Sequence, residues 1–147
     1  MTTVMDSKQI ISDLGDLIEL DYDAIAAYQA AIERLDTAAY REKLTEFLGD
    51  HERHVKELGE AVRKEGGSPP TKGDAMKILT KGKVVLADLL GDAAILKAMR
   101  ANEEVTNKKY ETAVEKGYAE HIQALLRKGL ADERRHKGWI ETTVEKL

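Results

Sequence analysis

From Leu14 to Leu35 the chain places Leu14, Ile18, Asp21, Ile25, Tyr28, Ile32 and Leu35 at alternating steps of four and three. Such steps keep residues on one stripe of an α-helix packed against other helices. The stripe is broken by Asp21. A carboxylate buried there is costly unless a cation or a hydrogen-bond donor meets it. Whatever fold the chain adopts must therefore bring a partner to Asp21.

The same conflict returns on three more helices. A stripe of Leu44, Phe47/Leu48, His51, His54/Val55, Leu58 and Val62 predicts a second helix, from a turn at Asp36-Thr37 to about Lys64. The first then spans about Ser7–Leu35, with Asp36 or Thr37 as the next N-cap. A third starts near Asp92, read as its N-cap, and carries Leu96, Met99, Glu103, Thr106, Tyr110 and Ala113 before stopping at Gly117. A fourth runs from about Tyr118 to Val144 through Ile122, Leu126, Leu130, Glu133, His136/Lys137 and Ile140. Between the second and third, GGSPPTKGD ends helix by glycine and proline. The apolar pattern of residues 74–90 predicts a short connecting helix.

Two pentapeptides reveal an internal repeat. DHERH begins at position 50 and DERRH at 132, and 132 − 50 = 82. At that offset Asp21 meets Glu103, Tyr28 meets Tyr110, and Asp50 meets Asp132. His51 meets Glu133, Arg53 meets Arg135, and His54 meets His136. The rest of the chain matches weakly, so the repeat is concentrated at the polar stripe positions. In a helical hairpin, residues equidistant from the turn lie side by side. Asp21 and the His51/His54 pair centre on the Asp36-Thr37 turn, and Glu103 and the Glu133/His136 pair centre near Gly117. Each hairpin thus presents its polar groups at one level, and the two hairpins are expected to meet around a pseudo-twofold axis.

Six such groups at one level can pair with one another or hold cations. Carboxylates with imidazoles at i, i+3 suit divalent first-row metals. The absence of cysteine excludes disulfides and thiolate metal sites and agrees with a cytoplasmic location. A net charge of −4 offers no general attraction to nucleic acid. The N-terminus lacks the apolar stretch of a signal peptide, and no apolar run is long enough for a membrane span.

LDYDAIAAYQAAI, DHERHVKEL, NEEVTNKKYETA and DERRHKGWI together resemble the ferritin-like superfamily, the group of rubrerythrin and bacterioferritin. The likeness is greatest to its small single-domain bacterial members. It implies an all-α, left-handed four-helix bundle in one domain, with hairpins at about 7–64 and 92–144. Residues 65–91 would be the long crossover between helices 2 and 3. It also implies a two-metal centre, with iron as the metal, although the ligand set alone would also accept manganese or zinc. Asp21 and Glu103 would be terminal ligands, Glu133 a bridge, and His54 and His136 one ligand to each ion. His51 stands where the family usually has a second bridging Glu. This leaves open ions set further apart, ions of unequal affinity, or a single ion.

The implied activity is ferroxidase or peroxidase-type oxidation with O₂ or peroxide, and an external electron donor would be needed. Tyr28 and Tyr110, two turns beyond the carboxylates, are the candidate catalytic phenols; core packing with a satisfied hydroxyl is the plainer reading. Asp50 and Asp132 could orient an imidazole on another helix, or pair with Arg53 and Arg135. Glu19, Asp23 and Glu104 read as surface acids, Trp139 as core or interface, and His121 as exposed. Two rival readings are a metal-binding protein without turnover and a stress-related bundle with a metal-free polar network. The Leu/Val-rich stretch 84–90 is a candidate homodimer interface.

Overall fold

The computed structural model describes residues 6–72, 86 and 89–147. Four long helices dominate them: α1 (Ser7–Arg34), α2 (Ala38–Lys64), α3 (Asp92–Val114) and α4 (Glu120–Glu145). They form an all-α four-helix bundle, with α1 packed on α2 and α3, and α4 on α3 and α2. Asp6 caps α1 by accepting from the Lys8 N–H at 2.9 Å. At the end of α2 the Gly67 N–H reaches the Val62 carbonyl and the Gly66 N–H that of Arg63. This Schellman closure needs a left-handed residue, which Gly66 supplies at φ +89°.

Hydrogen bonds between distant residues set the helix directions. Ser7 Oγ donates to Glu65 at 2.9 Å, so α1 begins where α2 ends. Asp92 accepts from the backbone N–H groups of Asp36 and Thr37 and from the Thr37 hydroxyl, so α3 begins beside the α1–α2 turn. α2 therefore ends at one end of the bundle and α3 begins at the other. The first residues of the connection lie close to α1 and α2, where a Cβ on Gly15 or Gly59 would come within 3.7 Å of Pro70 or Pro69. Asp92 was expected to cap α3. Instead Gly91 takes the cap position and Asp92 ties down the neighbouring turn.

Most of the predicted connecting helix at 74–90 lies outside the described residues. Of the proposed dimer stretch, Leu86 is buried against the chain's own core and Leu90 is exposed. Among the described residues no helix is long and apolar enough to cross a membrane.

The core is split in two. One apolar cluster gathers Leu14, Ile18, Leu58, Val62, Ile122 and Leu126 at the end where α1 begins. The other gathers Ala31, Leu44, Phe47, Leu96, Met99 and Ile140 at the opposite end. Each fully buried aliphatic or aromatic side chain contributes about 1.5–3 kcal/mol. Between the clusters runs a layer of buried polar residues, and the apolar halves offset the cost of desolvating it.

Gly129 lets α4 approach that layer. A Cβ there would sit 2.5 Å from Tyr110 Cε1 and 3.1 Å from Cδ1. We expect Gly129→Ala to displace the Tyr110 ring and destabilise the protein by about 1–3 kcal/mol, read by denaturant titration. An unchanged midpoint would show that the ring can move at no cost.

Candidate metal centre

Asp21, His51, His54, Glu103, Glu133 and His136 are all buried and lie in one layer. They form two four-residue groups, Asp21/His51/His54/Glu133 and His51/Glu103/Glu133/His136, each with donor atoms within 4.8 Å of one another. His51 and Glu133, repeat partners at 51 + 82 = 133, belong to both. The six residues proposed from the sequence as metal ligands thus lie together.

In the first group Asp21 Oδ1 lies 2.8 Å from His51 Nδ1 and 3.1 Å from His54 Nδ1. Glu133 Oε1 lies 3.4 Å from His51 Nδ1 and 3.7 Å from His54 Nδ1. In the second, Glu103 Oε1 lies 3.6 Å from His51 Nε2 and 3.5 Å from His136 Nδ1, and Glu133 Oε2 lies 3.6 Å from His136 Nδ1. Four ligands held tetrahedrally at about 2.1 Å from an ion stand about 3.4 Å apart. Both groups are close to that spacing. His51 Nε2, Glu133 Oε1 and His136 Nδ1 are buried without a hydrogen-bond partner, which is costly for polar atoms facing only one another. The donor set fits divalent cations.

The surroundings obey the pseudo-twofold relation by exchange between hairpins. Tyr28 donates to Glu103 on the other hairpin, and Tyr110 donates to Asp21 at 2.6 Å. Asp132 receives His54 Nε2 at 2.9 Å, and Asp50 receives His136 Nε2 at 2.8 Å. Arg53 bridges Asp50 and Asp132 from one side, and Arg135 bridges them from the other. Both readings of the aspartates hold together: each orients an imidazole on another helix and also pairs with arginine. With Nε2 turned to an aspartate, His54 and His136 offer Nδ1 to the centre. Replacing Asp132 or Asp50 by Asn is therefore expected to weaken metal binding about 10–100-fold with the fold intact. Competition against a chromogenic chelator would measure it; unaltered affinity would remove the orienting role.

Two residues outside the expected set complete the layer. Thr106 Oγ1 lies 3.1 Å from Glu103 Oε2 and 3.0 Å from Glu133 Oε2. Asn107 donates to the backbone carbonyls of Glu103 and Glu133 at 2.7 and 3.0 Å. Their repeat counterparts are Ala24 and Ile25, so comparison of the halves could not have found them. Glu19 and Asp23 are half-buried, and Glu104 and His121 are exposed. Trp139 packs edge-on against Tyr40 and Phe47, and the Phe47 ring stacks on His136.

Electrostatics follow from this crowding. Burial opposes charge on His54, yet hydrogen bonds to Asp132 and Asp21 hold it up at about 9. His136 is likewise about 9, against burial, through Glu103 and Glu133. For His51 burial is again outweighed, here by Glu133 and Asp21, so it lies well above the usual range. Burial pushes Glu133 up to about 7, with His51 opposing and Glu103 reinforcing. Burial would also raise Glu103, but His136 and His51 draw it well below the carboxylate range. Asp21 is lowered against burial by His51 and His54. Burial and the adjacent carboxylates raise Tyr28 and Tyr110, keeping both as donors.

Without metal, crowding favours the charged forms of the three imidazoles and of the Asp21 and Glu103 carboxylates, and it works against charge on Glu133. Raised pKa values make the contribution of His54 and His136 fully present below about 6.5 and lost as pH rises through about 9. The metal-free melting temperature should fall by on the order of 5 °C between those limits. Metal affinity should rise over the same window, because bound ions displace the imidazole protons. A flat melting profile would contradict the network.

The bundle has a ferritin-like fold, and its buried mixed carboxylate–imidazole layer is compatible with metal binding. The fold matches a crystal structure described as ferritin like, diiron-carboxylate proteins from Bacillus anthracis str. Ames, with a TM-score of 0.75 and 22% identity over 97% of this chain and 99% of that one. Residues 9–116 match the family model "Domain of unknown function (DUF2383)", and the chain belongs to that family. No curated protein matches the chain. The family match covers α1 to α3 and ends before Glu133 and His136.

Proposed function

We propose that this chain is a two-metal binding protein of the ferritin-like class, acting as one domain, with iron as its metal. The observation that carries the reading is the pair of buried four-donor groups sharing His51 and Glu133, with three unpartnered donor atoms turned into them. Asp21 and His54 would serve one ion, Glu103 and His136 the other, and His51 and Glu133 both. The diiron description of the Bacillus anthracis protein supports iron; the oxygen and nitrogen donors would also accept manganese or zinc.

Bound iron would supply the electrons for oxidation by O₂ or peroxide, in a ferroxidase or peroxidase-type reaction. The protein's share is positional. Asp50 and Asp132 orient His136 and His54, and the apolar clusters exclude bulk water. Tyr28 and Tyr110 donate to Glu103 and Asp21 and would be oxidisable groups one hydrogen bond away from the ligands. With no cysteine in the chain to hold an iron–thiolate relay, reducing equivalents would come from an external donor.

The test is metal content of untagged protein by plasma mass spectrometry, beside a His54→Ala/His136→Ala double variant. About two ions per chain in the wild type and a large loss in the variant are expected. Absence of metal in both would leave the second reading, a metal-free network, favoured by the three donors already satisfied at Asp21. If metal is bound, addition of Fe(II) in excess over protein separates turnover from binding without turnover.

A further inference from the structure

Among the six candidate ligands, His51 is the position where the two halves of the centre differ in kind, because its repeat partner is Glu133. Glu133 directs Oε1 to the first group and Oε2 to the second. His51 does the same with its ring: Nδ1 faces Asp21 and Glu133, and Nε2 faces Glu103. The ring is fully buried, and Nε2 has no hydrogen-bond partner. Its centroid lies 5.6 Å from the His54 ring and 5.2 Å from the His136 ring, nearly equidistant from the two end imidazoles.

We propose that His51 links the two metal ions through its imidazole ring, one nitrogen to each, in place of a second bridging carboxylate. The inference rests on the two-metal reading above. A carboxylate-bridged pair stands about 3.5–4 Å apart. An imidazole ring with metal–nitrogen bonds of about 2.1 Å at both ends holds its ions about 6 Å apart. At that spacing Glu133 reaches both ions only with its metal bonds turned outward, Oε1 toward one and Oε2 toward the other, and not in the compact mode of a pair bridged by two carboxylates. The linking ring carries no N–H. Each displaced proton goes to water, and the electron pair of each broken N–H bond becomes a metal–nitrogen bond. The wider spacing favours two ions acting separately over a pair closing on one small oxidant.

Cobalt(II) is the probe. Anomalous diffraction from crystals of the cobalt-loaded protein locates each ion, and a solution titration of wild type and His51→Glu counts them. Two peaks about 6 Å apart, one beside each His51 nitrogen, are expected. In His51→Glu the peaks should draw in to about 4 Å or less, because a carboxylate spans a shorter gap. Two wild-type peaks closer than about 4 Å would overturn the imidazole link and leave the two-metal reading standing. A single peak would overturn both the link and the pair. No binding of cobalt, iron, manganese or zinc would overturn metal binding itself. If His51→Glu fails to fold by circular dichroism, the wild-type peak separation still decides.

Discussion

Glu133→Leu is expected to abolish metal binding at both donor groups at once. No other carboxylate in the layer faces both: Oε1 lies near His51 and His54, and Oε2 near His136. Loss of an outer hydrogen-bond partner already costs about 10–100-fold in affinity, so loss of a direct ligand to two ions should cost more than 100-fold. Leucine is somewhat larger than glutamate, so the substitution leaves no cavity. It also removes a carboxyl that burial holds at about 7. The metal-free variant should melt within a few degrees of wild type, because His51 keeps Asp21 and Glu103, His54 keeps Asp21 and Asp132, and His136 keeps Asp50 and Glu103, so no buried imidazole is left unpaired. Calorimetric titration with Fe(II) or cobalt(II) reads the first effect and thermal denaturation the second. Full binding of two ions by Glu133→Leu would remove Glu133 from the centre.

Asp21→Ala should act in the opposite sense, on the metal-free fold most of all. Asp21 faces His51 at 2.8 Å, His54 at 3.1 Å and Tyr110 at 2.6 Å. Alanine leaves those groups buried and short of an acceptor. Breaking a buried charge pair by removing one partner costs about 3–5 kcal/mol, which corresponds to a fall in melting temperature on the order of 10 °C. Asp21→Asn keeps the shape and one acceptor oxygen, and should fall between alanine and wild type. Melting in the presence of a chelator measures the series. If alanine and wild type melt together, the network does not stabilise the fold, and the polar layer is held by metal alone.

Both residues are legible from spacing along the chain. Asp21 interrupts a stripe of Leu14, Ile18, Ile25, Ile32 and Leu35, and a carboxylate among such neighbours is conspicuous in one dimension. Glu103, Glu133, His51, His54 and His136 are visible for the same reason, and the 82-residue offset ties them together. Thr106 and Asn107 are not visible in this way, because small polar residues are ordinary anywhere on a helix and Ala24 and Ile25 oppose them in the repeat. Gly129 likewise reads as a weak point in α4 until the Tyr110 ring is seen lying where its Cβ would be.

Asp92 marks another limit. Its type and position suit an N-cap, yet its carboxylate serves the α1–α2 turn. A local pattern predicts a hydrogen-bonding need without saying which backbone will meet it.

The amino-acid order by itself determined four amphipathic helices, the turns at Asp36-Thr37 and Gly117, and the level at which six ionisable groups interrupt the apolar stripes. Helical periodicity and hairpin symmetry suffice for that, because both depend only on spacing along the chain. Pairing was decided by tertiary structure: Tyr28 with Glu103, Tyr110 with Asp21, Asp50 with His136 and Asp132 with His54. It also turned the two His51 nitrogens toward different groups. A stripe says which face of a helix is buried, whereas partners are set by the approach of one hairpin to the other, on a scale of tenths of an ångström to which spacing along the chain is blind.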